Sequence, residues 1–278
     1  MTASTFPSAM PMLKSRNIVL TSIVRIGRVV FQQRVKPMQP FRQAVEGKNG
    51  LEIGGPSGAF QDTGIIPIYR YLGNLDNCVF AKKTTWEGQR DEGRVFRYHP
   101  AKPPGFNFIR EATGLSGISN QVYDFVLSAH NLEHIANPVL ALKEWTRVLK
   151  PSGAVIVILP DYRRTFDHLR KRTAVAHMAE DYDRGVCEND LTHVPEILEL
   201  HDLDRDPGAG SREEFRERSL RNFENRCLHH HVFDEQNSRE LLEYAGLSVQ
   251  VVDVLRPHHI VLFAQAPDSP HKSPEISS

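Results

Sequence analysis

From Leu51 to Ala264, short apolar runs alternate with stretches whose apolar residues recur at helical spacing. Leu51-Glu52-Ile53 reads as a short strand closed by Gly54-Gly55-Pro56-Ser57-Gly58, and Ala59–Leu72 as a helix that Pro67 must kink or end. Leu75–Ala81 and Phe106–Ile109 read as further strands, and Tyr123–Ser128 as a buried one. From Pro138, residues Leu140, Leu142, Trp145, Val148 and Leu149 mark an amphipathic helix that Pro151-Ser152-Gly153 stops. Ala154–Pro160 is β-branched and uncharged, as strands covered on both faces tend to be. Residues 161–233 break the alternation: they are charged, rich in His and Arg, and lack strand runs, so they predict a mainly helical insertion. The alternation then resumes. Asp234 or Ser238 caps a helix through Tyr244, and Gly246 ends it. Leu247–Leu255 and Ile260–Ala264, joined by Arg256-Pro257-His258-His259, form an antiparallel hairpin. Strands alternating with helices predict a doubly wound α/β domain with a mostly parallel sheet.

Five segments follow: a basic N-terminal segment at 1–46, a cofactor-binding half at 47–160, the insertion at 161–233, the last helix and hairpin at 234–267, and a disordered tail at 268–278. The first segment holds no acidic residue before Glu46, but Lys14, Arg16, Arg25, Arg28, Arg34, Lys36 and Arg42. Three readings fit it: a helix capping the cleft, peripheral contact with an anionic membrane, or a transit peptide. Over the whole chain Lys+Arg and Asp+Glu balance at 34 each, so no global charge favours nucleic acid, and none is expected as a partner. Cys78, Cys187 and Cys227 are scattered and odd in number. That excludes a disulfide framework and suits a reducing, cytoplasmic setting. No apolar run approaches the roughly 18 residues that span a bilayer.

The turn at 54–58 is the first chemical signal. In an open α/β sheet the ligand lies beyond the carboxyl ends of the strands, where a Gly-rich turn lets it approach the backbone. The order is not GxGxxG, and Glu52 at the strand end would repel a pyrophosphate while suiting an ammonium group. Ser128-Ala129-His130-Asn131-Leu132-Glu133-His134-Ile135 follows the fourth strand, and Leu142-Lys143-Glu144-Trp145-Thr146-Arg147-Val148-Leu149-Lys150-Pro151-Ser152-Gly153 leads into the fifth. With the turn, these segments resemble the class I S-adenosylmethionine-dependent methyltransferases, in particular the branch with LEH and RVLKPGG-like segments. The resemblance covers roughly 50–160 and returns at 231–265.

It implies a Rossmann-like, seven-stranded sheet whose last strand is antiparallel, with S-adenosyl-L-methionine as cofactor. It further implies that Gly54, Gly55 and Gly58, with Pro56 and Ser57 between them, line the methionine and ribose, and that Glu52 orients the turn. Asp76 would take the ribose hydroxyls, with Glu87 as substitute because Asp76 lies beyond the usual ~20 residues. Glu111 and Ala112 would face the adenine, and His130 the sulfonium. Pro56 departs from the family by removing one N–H donor.

The expected activity is methyl transfer to a small-molecule or glycan acceptor at oxygen, with His130 as first base and His168 as second. The Leu132-Glu133-His134 segment is expected to organise its loop rather than to catalyse. No metal is expected, because neighbours in His229-His230-His231 point in alternating directions and at most two of them can share an ion. The rival readings are a catalytically inactive cofactor-binding scaffold and a nicotinamide-dependent oxidoreductase.

Overall fold

A computed structural model describes residues 33–84 and 88–268. The basic stretch before Gln33, the tail after Asp268 and Glu87 lie outside the described residues. The chain divides into residues 1–33 and 34–278, and the fold below belongs to the second unit.

Helix α1 (Gln39–Val45) leads into β1 (Asn49–Ile53), β2 (Asn74–Val79), the small hairpin β3 (Lys83–Thr84) and β4 (Gly88–Gln89), then β5 (Gly93–Phe96), β6 (Gly105–Ile109) and β7 (Tyr123–Ala129). Helix α2 (Pro138–Val148) and β8 (Leu149–Pro160) follow. The insertion holds α3 (Val175–Asp183), α4 (Val194–Leu200), α5 (Arg212–Leu220) and α6 (Asn222–Asn225). Helix α7 (Glu235–Tyr244), β9 (Ser248–Leu255) and β10 (His259–Gln265) close the domain.

The main sheet runs β5-β6-β2-β1-β7-β8-β10-β9. Its centre is parallel, β10 runs antiparallel to β8 and β9, and β5 adds an antiparallel edge beside β6. The seven expected strands are therefore joined by an eighth. The fold is a Rossmann-like methyltransferase fold.

Side chains of a strand alternate between faces, and β8 shows what each face covers. Val155, Val157 and Leu159 enter one core with Trp145 of α2, Met178 of α3 and Leu241 of α7. Ile156 and Ile158 enter the other with Phe41 and Val45 of α1 and with Phe60, Ile65 and Tyr69. Covered on both sides, the central strands can be continuously apolar, which is why they read so clearly. Part of the insertion has a small core of its own, from Val194, Ile197, Ala209, Phe215 and Leu228.

The expected helix at 59–72 does not form. Two single 3₁₀ turns, Gly58–Phe60 and Tyr69–Tyr71, stand there instead. Pro67 lacks an N–H, and Gly64 packs so closely on the backbone that a Cβ would lie 2.2 Å from the Ala59 carbonyl oxygen. The apolar run 65–68 serves as a lid on the second core rather than as a helix face.

Candidate active site

Parallel register brings the carboxyl ends of β1, β2 and β7 level, with Ile53 beside Cys78 and Ser128. A cleft of about 910 Å³, partly open to solvent, lies beyond them. Gly54 and Ser57 line it from the turn, Phe80 from the end of β2, Glu111 and Ala112 from beyond β6, and His130, Asn131 and His134 from beyond β7.

The turn is built from below. Glu52 is fully buried and accepts hydrogen bonds from the Ser57 N–H at 3.0 Å and from the Tyr69 hydroxyl at 2.8 and 2.7 Å. Burial together with the Glu52 charge drives the Tyr69 phenol well above its ordinary pKa, so it stays a donor. The Gly54 N–H donates to the Cys78 carbonyl at 2.9 Å, and the Gly55 N–H to Asn77 Oδ1 at 2.8 Å. The N–H groups at 54, 55 and 57 are thus spent inside the turn, and Pro56 has none. Such a turn cannot cradle a pyrophosphate, which needs those donors. Asn131 Oδ1, buried beside Gly54, has no hydrogen-bond partner. An unpartnered acceptor beside a turn whose N–H groups at 54, 55 and 57 are already engaged fits the ammonium end of S-adenosylmethionine.

At the other end of the cleft, Arg226 grips Glu111 through two hydrogen bonds of 3.0 and 2.8 Å. Its guanidinium stacks on Phe80, 4.8 Å from the ring centroid, and stands 3.2 Å from Glu188 Oε2. That last contact is an ion pair without hydrogen-bond alignment, since Glu188 Oε2 makes no hydrogen bond. Burial raises the Glu188 carboxyl to about 7, against the pull of Arg226. The Cys78 thiol is pushed up to about 12 by burial and is no nucleophile.

His130 sits at φ 51°, a left-handed conformation rare outside glycine, which turns its ring into the cleft mouth. Its Nε2 lies 2.8 Å from His259 Nδ1, and its Nδ1 lies 3.7 Å from Glu133 Oε1. Burial works to raise the Glu133 carboxyl, but its contact with His130, with further help from the imidazoles around it, outweighs burial and lowers it. Burial lowers His134 to about 4 and His259 to about 3, so both stay neutral near pH 7.

Of the residues singled out in the sequence, Gly54, Ser57, Glu111, Ala112 and His130 line the cleft. Glu52, Gly55, Pro56 and Gly58 belong to the turn behind it. Asp76 lies mid-strand, opposite Leu51, with its carboxylate accepting from the Phe106 N–H at 2.8 Å and the Tyr123 hydroxyl at 2.9 Å. The ribose role expected for Asp76 does not suit that position. His168 also lies away from the cleft lining, its Nε2 2.8 Å from Asp202 Oδ2 within the insertion, so its placement gives a second base no support. Glu188, Arg226, Asn131 and Phe80 line the cleft without having been anticipated. No local spacing marks the first two, which arrive from the insertion.

Residues 97–157 match the methyltransferase domain family, a stretch from just before β6 to near the end of β8. No curated protein matches the chain. Among solved structures, a SAM-dependent methyltransferase from Aquifex aeolicus is 12% identical, with 91% of this chain and 99% of that one covered at a TM-score of 0.44. One from Methanosarcina mazei is 15% identical, with 85% and 100% covered at 0.46. The 1,6-didemethyltoxoflavin-N1-methyltransferase of Burkholderia thailandensis, bound to 1,6-didemethyltoxoflavin and S-adenosylhomocysteine, is 14% identical, with 94% of each chain covered at 0.42. Scores of this size define neither a family nor a chemistry. The domain match, on a sheet with this order and a cleft at its carboxyl edge, makes the chain a methyltransferase with S-adenosyl-L-methionine as its cofactor. Among the described residues, no helix is long and apolar enough to cross a membrane.

Proposed function

We propose that the chain methylates a hydroxyl of a small-molecule or glycan acceptor, with His130 as the general base and Glu133 holding its imidazole. The observation that carries this reading is the His130 ring. It lines the cleft, its side chain keeps 30% of its exposure, and it is backed by the buried carboxylate of Glu133, whose side chain keeps 2%.

S-adenosylmethionine, when bound, supplies an electrophilic methyl group and a thioether leaving group, so the protein's work is alignment, exclusion of water and removal of the acceptor proton. The turn at 54–57 and Asn131 would hold the methionine end, and Glu111 and Ala112 would serve the adenine. Glu133 favours the tautomer with the proton on Nδ1, leaving the Nε2 lone pair that now meets His259. An incoming hydroxyl takes the place of His259 at that nitrogen and gives up its proton there. His259 stays neutral, so it adds no charge that would oppose the protonated His130.

A screen of hydroxylated acceptors with labelled cofactor tests the acceptor class. With an accepted substrate, His130→Ala should lower turnover by about 10²-fold or more while S-adenosylhomocysteine still binds. Full turnover in that variant sinks the assignment of the base. A screen that labels only amines or thiols sinks the oxygen acceptor.

A further inference from the structure

A second cluster of ligating side chains stands apart from the cleft lining. His177 and Asp181 lie one turn apart on α3 and so share a face. His193 directly precedes α4, and His231 lies in the segment leading into α7. The four bring one ligating atom each to within 4.8 Å of one another. His177 Nε2 is 3.3 Å from His193 Nε2 and 3.4 Å from Asp181 Oδ2, and His231 Nε2 is 3.8 Å from the same oxygen.

These separations have a meaning. Bonds of about 2.0–2.2 Å from zinc to nitrogen and oxygen, arranged as a tetrahedron, place neighbouring ligand atoms roughly 3.3–3.6 Å apart. The two shorter distances fall in that range; the 3.8 Å separation belongs to His231 Nε2, which the Ala136 carbonyl already holds. As they stand, His177 Nε2 and His193 Nε2 share one long hydrogen bond, in which one nitrogen donates and the other accepts. Asp181 Oδ2 is buried and makes no hydrogen bond, an expensive state for a carboxylate oxygen that no cation serves. His231 is fully buried; its Nε2 lies 3.1 Å from the Ala136 carbonyl and its Nδ1 has no hydrogen-bond partner. With Nε2 donating to the carbonyl, Nδ1 is the nitrogen of His231 left to ligate, and a backbone carbonyl at the opposite ring nitrogen is the usual support of a metal-bound imidazole. The His177 side chain keeps 39% of its exposure, which gives an ion a way in.

We infer that His177, Asp181, His193 and His231 form a zinc site. Four protein ligands leave no open position, which marks a structural site rather than a catalytic one. Three imidazoles and one carboxylate favour zinc over the oxygen-seeking magnesium and calcium. The ion joins two insertion helices to the segment entering α7. Through the contact of His231 with Ala136, it also steadies the chain just beyond Ile135, which lines the cleft.

The test uses the full chain without an affinity tag. After dialysis against zinc-buffered solution, metal analysis should find one zinc per chain. His177→Ala and His193→Ala should each weaken zinc binding by on the order of 10²-fold while keeping the circular dichroism of the wild type. The His177 side chain keeps 39% of its exposure, so this variant guards against failure to fold. Cobalt in place of zinc should give the intense visible bands of a tetrahedral ion. His258→Ala, which alters a different histidine cluster, should retain the zinc. The inference is overturned if wild-type protein holds no zinc, if folded His177→Ala and His193→Ala bind it as tightly as wild type, or if only His258→Ala loses it.

Discussion

At the scale of single residues, the turn after β1 is the most constrained part of the candidate site. Gly54 has φ +75°, and a Cβ added to it would stand 2.6 Å from Asn131 Nδ2. Any other residue must both adopt a disfavoured backbone and displace the side chain that brings a free acceptor to the cleft. Gly54→Ala should therefore weaken S-adenosylhomocysteine binding at least tenfold by calorimetry, for a stability cost of about 1–2 kcal/mol from the left-handed backbone. Wild-type affinity in that variant removes the turn from the cofactor site. Glu52 is the wrong probe for the same question. Truncating it leaves the buried Tyr69 hydroxyl with no acceptor for its proton, so loss of binding and loss of folding arrive together. The sequence reveals that Glu52 orients the turn but not how, because its main partner is a tyrosine 17 residues away.

At the scale of elements, legibility follows packing. Strands β7 and β8 are plain in the sequence because covered parallel strands need uninterrupted apolar runs. Helix α7 is plain because its ends carry capping chemistry: the Asp234 side chain accepts from the Gln236 and Asn237 N–H groups at 3.0 Å, and Asn237 returns a contact to the Asp234 N–H at 2.8 Å. The stretch 59–72 misleads, since its apolar residues face a core but Gly64 and Pro67 deny them helical backbone. Edge strand β5 is illegible, with two of its four residues exposed and no alternation to read. The cap makes a quantitative claim. Asp234→Ala should cost about 1–2 kcal/mol in denaturant unfolding, and Asp234→Asn only a fraction of that, because asparagine caps nearly as well. The aspartate also faces Arg172 at 3.4 Å, but a partly exposed pair of that length adds little. Equal stability of wild type and the alanine variant would show that tertiary packing alone fixes the start of α7.

At the scale of the whole molecule, the insertion is what the sequence conceals. Its composition announces a polar, helical region, yet Glu188 and Arg226 enter the cleft wall from it, and the proposed zinc ligands converge from separate segments. Neither arrangement leaves a local signature. The expectation of no metal rested on the lack of any ligand set with convincing spacing in the sequence, and His177, Asp181, His193 and His231 meet only in the fold.

Glu188 offers the sharpest test of how the insertion meets the sheet. It accepts from the Ala136 N–H at 3.2 Å, in the loop after β7, while Arg226 pairs it electrostatically with Glu111. Burial raises its folded pKa to about 7 from an ordinary value of 4.5. A carboxyl whose folded pKa is raised adds stability that is fully present below its unfolded pKa. That stability is lost as pH climbs to the folded value, since the folded state must then ionise a buried group. Wild type should accordingly lose the Glu188 contribution between about pH 4.5 and 7. Glu188→Gln keeps an acceptor for the Ala136 N–H and never ionises, while Arg226 retains Glu111. The stability difference between variant and wild type should thus grow in favour of glutamine across that window, reaching on the order of 2–3 kcal/mol. Urea unfolding at a series of pH values measures it. A difference that stays flat means Glu188 titrates normally and the wall between insertion and cleft is wet. A difference of opposite sign means Arg226 holds Glu188 ionised, and the ion pair rather than burial governs this junction.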